Sequence, residues 1–428
     1  MMKFYIHSVG CKSNQFEGNL IKENLTENGM VEADKIEDAN FYILNSCSVT
    51  HKSDNEAMYL LRNAKNKNPN LKTVITGCVA QIEKEKLLEY NFVDFVVGNN
   101  DKLNLFEIIK NEQNSKCKVS DIMNQTDFNK ISVNDLSKTR ANIKIQDGCD
   151  NRCSYCIIPF ARGKSRSADI DFIVNQINNL SNQGFKEVVF TGIHIGQWGK
   201  DIGYEFIDLI RATEERTSIK RFRLGSLNPL EINDELLDYL AKSEKFCPHF
   251  HLSLQSACDK TLKSMNRFYK TDDYLKQINK INSMFDLPFL GSDIITGFAG
   301  ETEDDFNITV DNLKKSGLTQ IHTFPYSVRK GTKGADMPNQ VPENIRQARA
   351  EIVKDISKEK YENFLKKNIN KIHEVLIEKH PDKNGYLKGV TRNYIKVSLN
   401  SKDTNLLNTL CNAKITKIEN GRVLAEII

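Results

Sequence analysis

The placement of cysteines constrains this chain more than any other feature. Ten occur in 428 residues, and six of them fall into two patterns. Cys149-Asp-Asn-Arg-Cys153-Ser-Tyr-Cys156 sets three thiols on one short stretch, directly after the apolar run Ile143–Gln146. Cys11, Cys47 and Cys78 each follow a short apolar run at a similar offset (YIHSVGC, YILNSC, VITGC), and Gly10 and Gly77 directly precede two of them. So many cysteines call for a use other than disulfides if the compartment is reducing. The N-terminus, MMKFYIHSVGCKSN, lacks the apolar run and cleavage site of a signal peptide. No stretch approaches the ~20 apolar residues that span a bilayer. A cytoplasmic protein with no membrane partner is expected.

Three thiolates on one loop can hold three irons of a four-iron cubane and leave the fourth open to an exogenous ligand. Zinc is the alternative, but a closed zinc site wants four ligands, and no fourth Cys or His lies nearby in sequence. For the dispersed trio, loops that follow the strands of a parallel sheet gather at one edge. Cysteines about thirty residues apart can therefore converge there. The alternative is three buried structural thiols. Cys117, Cys247, Cys258 and Cys411 have no companions at ligand spacing and read as spare thiols.

A chain of this length exceeds what one core supports, so two or three domains are expected. In residues 1–125, apolar runs at Phe4–Ile6, Phe41–Leu44, Thr73–Ile75 and Phe92–Val97 alternate with helical patterns at Glu17–Asn28 and Asn55–Lys67. That alternation predicts a parallel sheet with helices on its faces. Residues 111–140 are polar and read as a linker. Residues 135–367 offer six candidate strands: Ile143–Gln146, Glu187–Phe190, Arg221–Leu224, Phe250–Leu254, Gly291–Ile295 and Gln320–Phe324. Helical stretches separate them, which predicts a complete or partial βα barrel with its active site at the C-terminal strand ends. A helix follows at about Glu343–Lys367. In residues 368–428, short runs at His373–Ile377, Tyr394–Leu399, Ala413–Ile418 and Val423–Ile427 alternate with turns, as in a small all-β barrel. Net charge is +4, yet Lys366–Ile428 alone holds 12 Lys/Arg against 6 Asp/Glu. The basic surplus lies in the tail, as in a nucleic-acid-binding appendage or a plain lysine-rich surface.

The C-x₃-C-x₂-C run and its surroundings resemble the radical S-adenosylmethionine (SAM) superfamily. With GCKSNQ, NSCSVTHKSD and GCVAQ in the first block, then QDGCDNRCSYCIIPFARGKSRS, TGIHIG, HLSLQSACDKTLKSMNR, DIITGFAGET and GYLKGVTRNYIKVSL, nearly the whole chain resembles the methylthiotransferases of that superfamily. The resemblance implies an α/β protein in three parts: an N-terminal parallel-sheet cluster domain, a partial radical SAM barrel, and a C-terminal TRAM barrel that binds RNA. It implies two 4Fe-4S clusters, ligated by Cys11, Cys47 and Cys78 and by Cys149, Cys153 and Cys156. Tyr155, Thr191, Gly192, His194, Ser226, Gln255 and Asp293 are the expected SAM contacts. The motifs GCKSNQ and NSCSVTHKSD are most similar to the branch acting on N6-threonylcarbamoyladenosine beside the tRNA anticodon. Ala257-Cys258 and Gln197-Trp198 depart from the usual family residues.

Arg162, Lys164 and Arg166 follow the cluster loop closely and are expected to hold RNA phosphates. Arg392, Tyr394 and Lys396 interleave an aromatic with basic residues, which suits backbone contacts and base stacking. Implied partners are tRNA, a reductant protein such as flavodoxin or ferredoxin, and a sulfur donor. Rival readings are methylthiolation of isopentenyladenosine or of a ribosomal protein, a non-catalytic iron–sulfur protein that binds RNA, and a zinc-dependent RNA-binding protein.

Overall fold

In the computed structural model, residues 1–48, 51–110, 116–130 and 138–428 are described. The first sheet is six-stranded and parallel, in the order β2-β1-β3-β4-β5-β6. Its strands are β1 (Lys3–Ser8), β2 (Val31–Glu32), β3 (Phe41–Ser46), β4 (Lys72–Gly77), β5 (Phe95–Val97) and β6 (Cys117–Lys118). Every residue of β3 is buried, as a central parallel strand covered on both faces requires. The covering helices are α1 (Lys12–Glu27), α2 (His51–Lys67), α3 (Cys78–Ile82), α4 (Lys84–Leu88) and α5 (Leu105–Lys110). The expected linker needs correction at its N-terminal end. Cys117-Lys118 pairs parallel with Val96-Val97 as the edge strand, and Asp101 accepts hydrogen bonds from the Ser120 backbone and hydroxyl. Residues 111–115 and 131–137, also within that span, lie outside the described residues, as do Val49 and Thr50 of the NSCSVTHKSD motif.

A partial barrel follows, its parallel strands split between two sheets, β11-β10-β7 and β12-β13-β14-β15. These are β7 (Arg140–Lys144), β10 (Glu187–Thr191), β11 (Arg221–Arg223), β12 (Ser226–Leu227), β13 (His249–Leu252), β14 (Phe289–Thr296) and β15 (Gln320–Pro325). The short antiparallel pair β8 (Gln146–Asp147) and β9 (Arg166–Ser167) brackets the cysteine loop. β7 begins three residues before the apolar run, because its inward positions are the polar Arg140, Asn142 and Lys144. Helices α6 (Ile158–Arg162), α7 (Ile170–Asn182), α8 (Phe206–Arg216), α9 (Asp234–Lys242), α10 (Asp259–Ser264), α11 (Thr271–Met284), α12 (Glu303–Lys315) and α13 (Glu343–Lys367) complete this part. Capping fixes several starts: the Asp169 carboxylate accepts from Phe172 N at α7, and Thr302 and Asp305 form a reciprocal box at α12.

Strand residues alternate between two environments. Outward residues such as Ile143, Val188, Phe190, Phe222, Phe250, Leu252 and Leu290 pack against the helices in the main core. Inward residues are polar: Arg140 and Asn142 on β7, Glu187 on β10, His249 and His251 on β13, Gln320 and His322 on β15. The lumen is therefore a polar cavity whose contents bear on function.

The C-terminal strands β16 (Ile372–Ile377), β17 (Lys388–Thr391), β18 (Lys396–Leu399), β19 (Leu410–Glu419) and β20 (Arg422–Ile427) close a barrel in the order β16-β17-β18-β20-β19. β17 joins the four runs expected from sequence. The β17–β18 turn docks on the central barrel. Asn393 donates to Leu287 O and Asn368 Oδ1, and Arg223 donates to Thr391 O and Arg392 O.

Candidate active site

The Cys149–Cys156 loop is anchored at both ends. Cys149 N donates to Gly163 O, Ser154 N to Met265 O, and Gly334 N to Ser154 O. Gly148 sits at φ +72 with Lys164 O 1.8 Å from where a Cβ would be, so no other residue fits that turn. The thiols have polar neighbours. His194 Nδ1 lies 3.5 Å from Cys149 Sγ, and Arg267 Nη1 lies 3.5 Å from Cys153 Sγ. Burial, then the adjacent Cys153 and Cys149 sulfurs, push the Cys156 thiol up to about 12. Three crowded, half-buried thiols beside two cationic side chains suit a metal centre that supplies the missing positive charge. Among the described residues, no three His, Cys, Asp or Glu side chains converge where one metal ion could sit. A cubane spreads its thiolates over separate irons and so fits this loop better than a single zinc ion.

The other trio is assembled by the sheet. β1, β3 and β4 are adjacent and parallel, with Ser8 opposite Asn45 and Ser46 opposite Gly77. Cys11 caps α1, Cys47 follows β3, and Cys78 opens α3. Gly10, at φ +94, lies so close to Cys47 that a Cβ would stand 2.7 Å from its Sγ. Asn14 locks the loops together by donating to Val9 O and Ser46 O, while Asn45 donates to Asn14 O. Arg162 reaches the same edge by donating to Asn14 Oδ1. These thiols, gathered at one sheet edge next to a buried cation, also suit a cluster.

Arg162 carries the main correction to the sequence reading. It is 1% exposed, ion-paired to Glu17 and bonded to Asn14, so it cannot reach RNA. Gly163, at φ +72, turns the chain so that α6 packs on α3 instead of facing solvent. Arg166 is also buried, donating to Arg162 O and Lys164 O and facing Asp147. Lys164 alone of the three is exposed. The buried Glu17 carboxylate collects Arg162, Lys102 and Lys144. Burial alone would raise its pKa; the three cations outweigh burial and hold it well below the usual range. Nothing local in the sequence marks this knot.

The expected SAM contacts divide among three places. Tyr155, Gln255 and Asp293 line a largely apolar cavity of about 240 Å³ beside Cys156, closed by Phe324, Pro325 and Tyr326. Gln255 is held there at φ +72 by bonds with Asp293 O and Ile295 N. Thr191, Gly192, Ser226 and again Asp293 line a larger chamber of about 780 Å³. His194 lines neither cavity. Its Nε2 faces Glu231 and Asn228, and burial, which would lower it, is outweighed by Cys149 and Glu231, which raise it to about 9. Both ring nitrogens are engaged, one at Cys149 and the other at Glu231 and Asn228.

The large chamber reaches the dispersed trio at Cys11 and shares Asp293 and Phe324 with the cavity beside Cys156. Cys11, Lys12 and Ser13 form one wall, and His251, Asp293, His322 and Phe324 form the barrel side. Phe289, Tyr361, Tyr394 and Lys396 close it from the C-terminal half. His251 bridges Ser226 Oγ (2.9 Å) and Asp293 Oδ1 (3.3 Å). Of the expected RNA residues in the tail, Tyr394 and Lys396 face this chamber. Arg392 is instead spent on docking, donating to Glu244 O and Phe246 O. His251, His322, Arg267 and Asn228 were not singled out from sequence, although the period-two alternation of HFHL and QIHTF marks both histidines as inward.

A match to the radical SAM superfamily covers residues 143–313, and the family described as uncharacterized protein family UPF0004 matches residues 3–98. The fold and the cysteine loop define a radical SAM enzyme, which implies SAM and a 4Fe-4S cluster. A threonylcarbamoyladenosine tRNA methylthiotransferase MtaB from Aquifex aeolicus is 35% identical over 402 residues, covering 92% of this chain and 96% of that one. A tRNA-2-methylthio-N(6)-dimethylallyladenosine synthase from Lachnoclostridium phytofermentans is 32% identical over 440 residues, covering 100% and 96%. The chain belongs to the radical SAM methylthiotransferase family. Among solved structures, the radical S-adenosylmethionine methyltransferase TsrM from Kitasatospora setae, with cobalamin and a 4Fe-4S cluster bound, shares the fold at TM-score 0.57 and 14% identity, over 78% of this chain and 77% of that chain.

Proposed function

We propose that this enzyme converts N6-threonylcarbamoyladenosine at position 37 of tRNA, beside the anticodon, to its 2-methylthio derivative. In this reading Cys149, Cys153 and Cys156 hold one 4Fe-4S cluster, and Cys11, Cys47 and Cys78 hold a second. When bound, the clusters and two molecules of SAM supply the electron, the radical that takes hydrogen from C2 of the adenine, and the methylated sulfur. The observation carrying the proposal is the chamber of about 780 Å³, which has Cys11 on one wall and the barrel mouth on the other. A base seated there faces Cys11 and adjoins, across Asp293 and Phe324, the cavity beside Cys156.

The protein's own groups hold and orient. Arg267 and His194 fix the thiols of Cys153 and Cys149. Tyr155 and Gln255 line a cavity suited to an adenosyl group. Phe289, Phe324, Tyr361 and Tyr394 exclude water around the base. Lys396, His251 and His322 offer the charge and donors that a threonyl carboxylate and a carbamoyl oxygen need. An isopentenyl group would offer Lys396 and His322 no acceptor. Burial and the neighbouring His251 lower the His322 pKa, so it serves as a neutral hydrogen-bonding group. The three-part division at 1–125, 135–367 and 368–428, the RNA-binding role of the C-terminal barrel, and the reductant and sulfur-donor partners belong to this reading.

Nucleoside mass spectrometry of tRNA from a strain lacking the gene tests it. The 2-methylthio-threonylcarbamoyl nucleoside should vanish while the methylthio-isopentenyl form persists; the reverse pattern would sink the substrate assignment. Replacing Cys47 by Ala should spare reductive SAM cleavage and abolish methylthio insertion. A parent enzyme that bound RNA but never cleaved SAM would point instead to a non-catalytic iron–sulfur protein.

A further inference from the structure

Below the chamber, the barrel lumen holds a second cavity of about 350 Å³, which shares Lys12, Leu224, His249 and Tyr394 with it. Cations dominate its walls: Lys12 from α1, Arg140 from β7, Arg223 from β11 and Lys388 from β17. The facing carboxylates are already committed. Glu187 is shared between Arg221 (2.6 Å) and Arg223 (2.7 Å), and Glu378 faces Lys388 at 3.3 Å. Among the described residues, no carboxylate lies within ion-pair distance of Lys12 or Arg140, and Arg140 Nη1 is buried without a hydrogen-bond partner. Lys12 lines both cavities and is exposed to solvent. Tyr394 stands at the boundary in a left-handed conformation (φ +67), with the Arg223 and Arg140 guanidinium groups 5.2 and 6.0 Å from its ring centre. Left-handed backbone in a bulky residue persists where the surroundings impose it, and such positions cluster at ligand sites.

Unpaired cations held together in an enclosed space call for an anion, and a guanidinium fork matches a phosphate. We infer that this cavity holds a backbone phosphodiester of the RNA, next to the nucleotide whose base occupies the chamber, with Arg140 and Lys12 as its partners. This inference rests on the tRNA reading above. Tyr394 then divides base from phosphate, and the shared wall sets the distance between them.

The test uses the iron-loaded enzyme and a synthetic anticodon stem-loop. Affinity is measured against salt for the parent and for Arg140→Gln, and for stem-loops carrying a neutral methylphosphonate at single linkages around nucleotide 37. Arg140→Gln should weaken binding roughly tenfold, the scale of one charge-assisted bond, and flatten the salt slope by about one. One methylphosphonate should weaken the parent similarly while leaving Arg140→Gln unaffected. Because the ligand-side change is read on unaltered protein, it stands even if the variant folds poorly. Independent losses, or no methylphosphonate effect at any linkage, overturn the inference. If inorganic phosphate displaced the stem-loop from the parent without any methylphosphonate effect, the cavity would bind free phosphate and not the RNA backbone. A parent that bound no stem-loop at all would take down the tRNA reading together with this one, whereas normal binding with an intact slope in Arg140→Gln would remove only this one.

Discussion

Cys149, Cys153 and Cys156 ride on one loop tied at both ends by backbone hydrogen bonds, whereas Cys11, Cys47 and Cys78 come from three loops of a parallel sheet. The first set is a local structure: its spacing is written in eight consecutive residues, and the fold need only anchor the ends. The second exists only because the strand order places three loops at one edge and a buried charge knot fastens that edge to the barrel. A dispersed site inherits the stability of everything that aligns it. The same kind of cofactor ligand thus has two different vulnerabilities.

Breaking the knot should separate them most strongly. Glu17→Ala takes away the one carboxylate paired with Lys102 and leaves Arg162 and Lys144 only Asp147, and an orphaned buried charge costs about 3–5 kcal/mol. Iron analysis of the purified variant is expected to show loss of the cluster proposed for Cys11, Cys47 and Cys78, with reductive SAM cleavage retained. If both clusters disappeared together, the two sites would not be independent and the contrast would collapse.

A control sharpens the point by removing an equally buried carboxylate that serves neither trio. Glu187 lies with Arg221 and Arg223 at the base of the barrel. Burial would raise its pKa, but the two arginines pull it down to about 2. A depressed carboxylate adds stability above its unfolded pKa and loses it as pH falls toward the folded value. Roughly 3 kcal/mol should therefore drain away between about pH 4.5 and 2. Urea midpoints of the iron-free chain should fall over that window, and Glu187→Gln should be less stable at neutral pH with a flatter acid profile. Its iron content should not discriminate between the two sites. Selective loss of one cluster in Glu187→Gln would show that any buried charge defect mimics the Glu17 effect.

The same contrast explains what was legible in the sequence. The local cysteine run, the alternation of strands and helices, and the small β tail all rest on short-range patterns, and each has its counterpart in the fold. The Glu17 knot joins positions up to 145 residues apart with no shared periodicity, so no window of sequence contains it. Arg162 was misread because it follows the cluster loop closely; the left-handed Gly163 and the packing of α6 on α3 bury it. His251 and His322 were readable in principle, since inward positions of a barrel strand recur every second residue. An inward polar residue signals function only once the lumen is known to be open. β7 was shifted for the same reason, its polar inward face hiding it from an apolar-run criterion.

The smallest effect concerns how each trio is tuned. Asn99 donates to Ala161 O at 2.7 Å and holds its amide 3.9 Å from Cys78 Sγ, joining the dispersed trio to the barrel. His194 has the corresponding place beside Cys149. Asn99→Ala removes two buried hydrogen bonds, to Ala161 O and from Lys102 Nζ, each worth about 1 kcal/mol, and one weak donor near a sulfur, while Lys102 keeps Glu17. Both clusters should remain at full iron content, because no charge is orphaned. A donor near a thiolate sulfur favours the reduced, more negative state, so its loss should lower the reduction potential of the cluster proposed for Cys11, Cys47 and Cys78. The cluster on the loop, which does not touch Asn99, should keep its potential. Redox titration followed by electron paramagnetic resonance resolves the two signals. A shift in both would mean that the electrostatics of the knot reach across the chamber, and the trios would then be one coupled centre instead of two separately built ones.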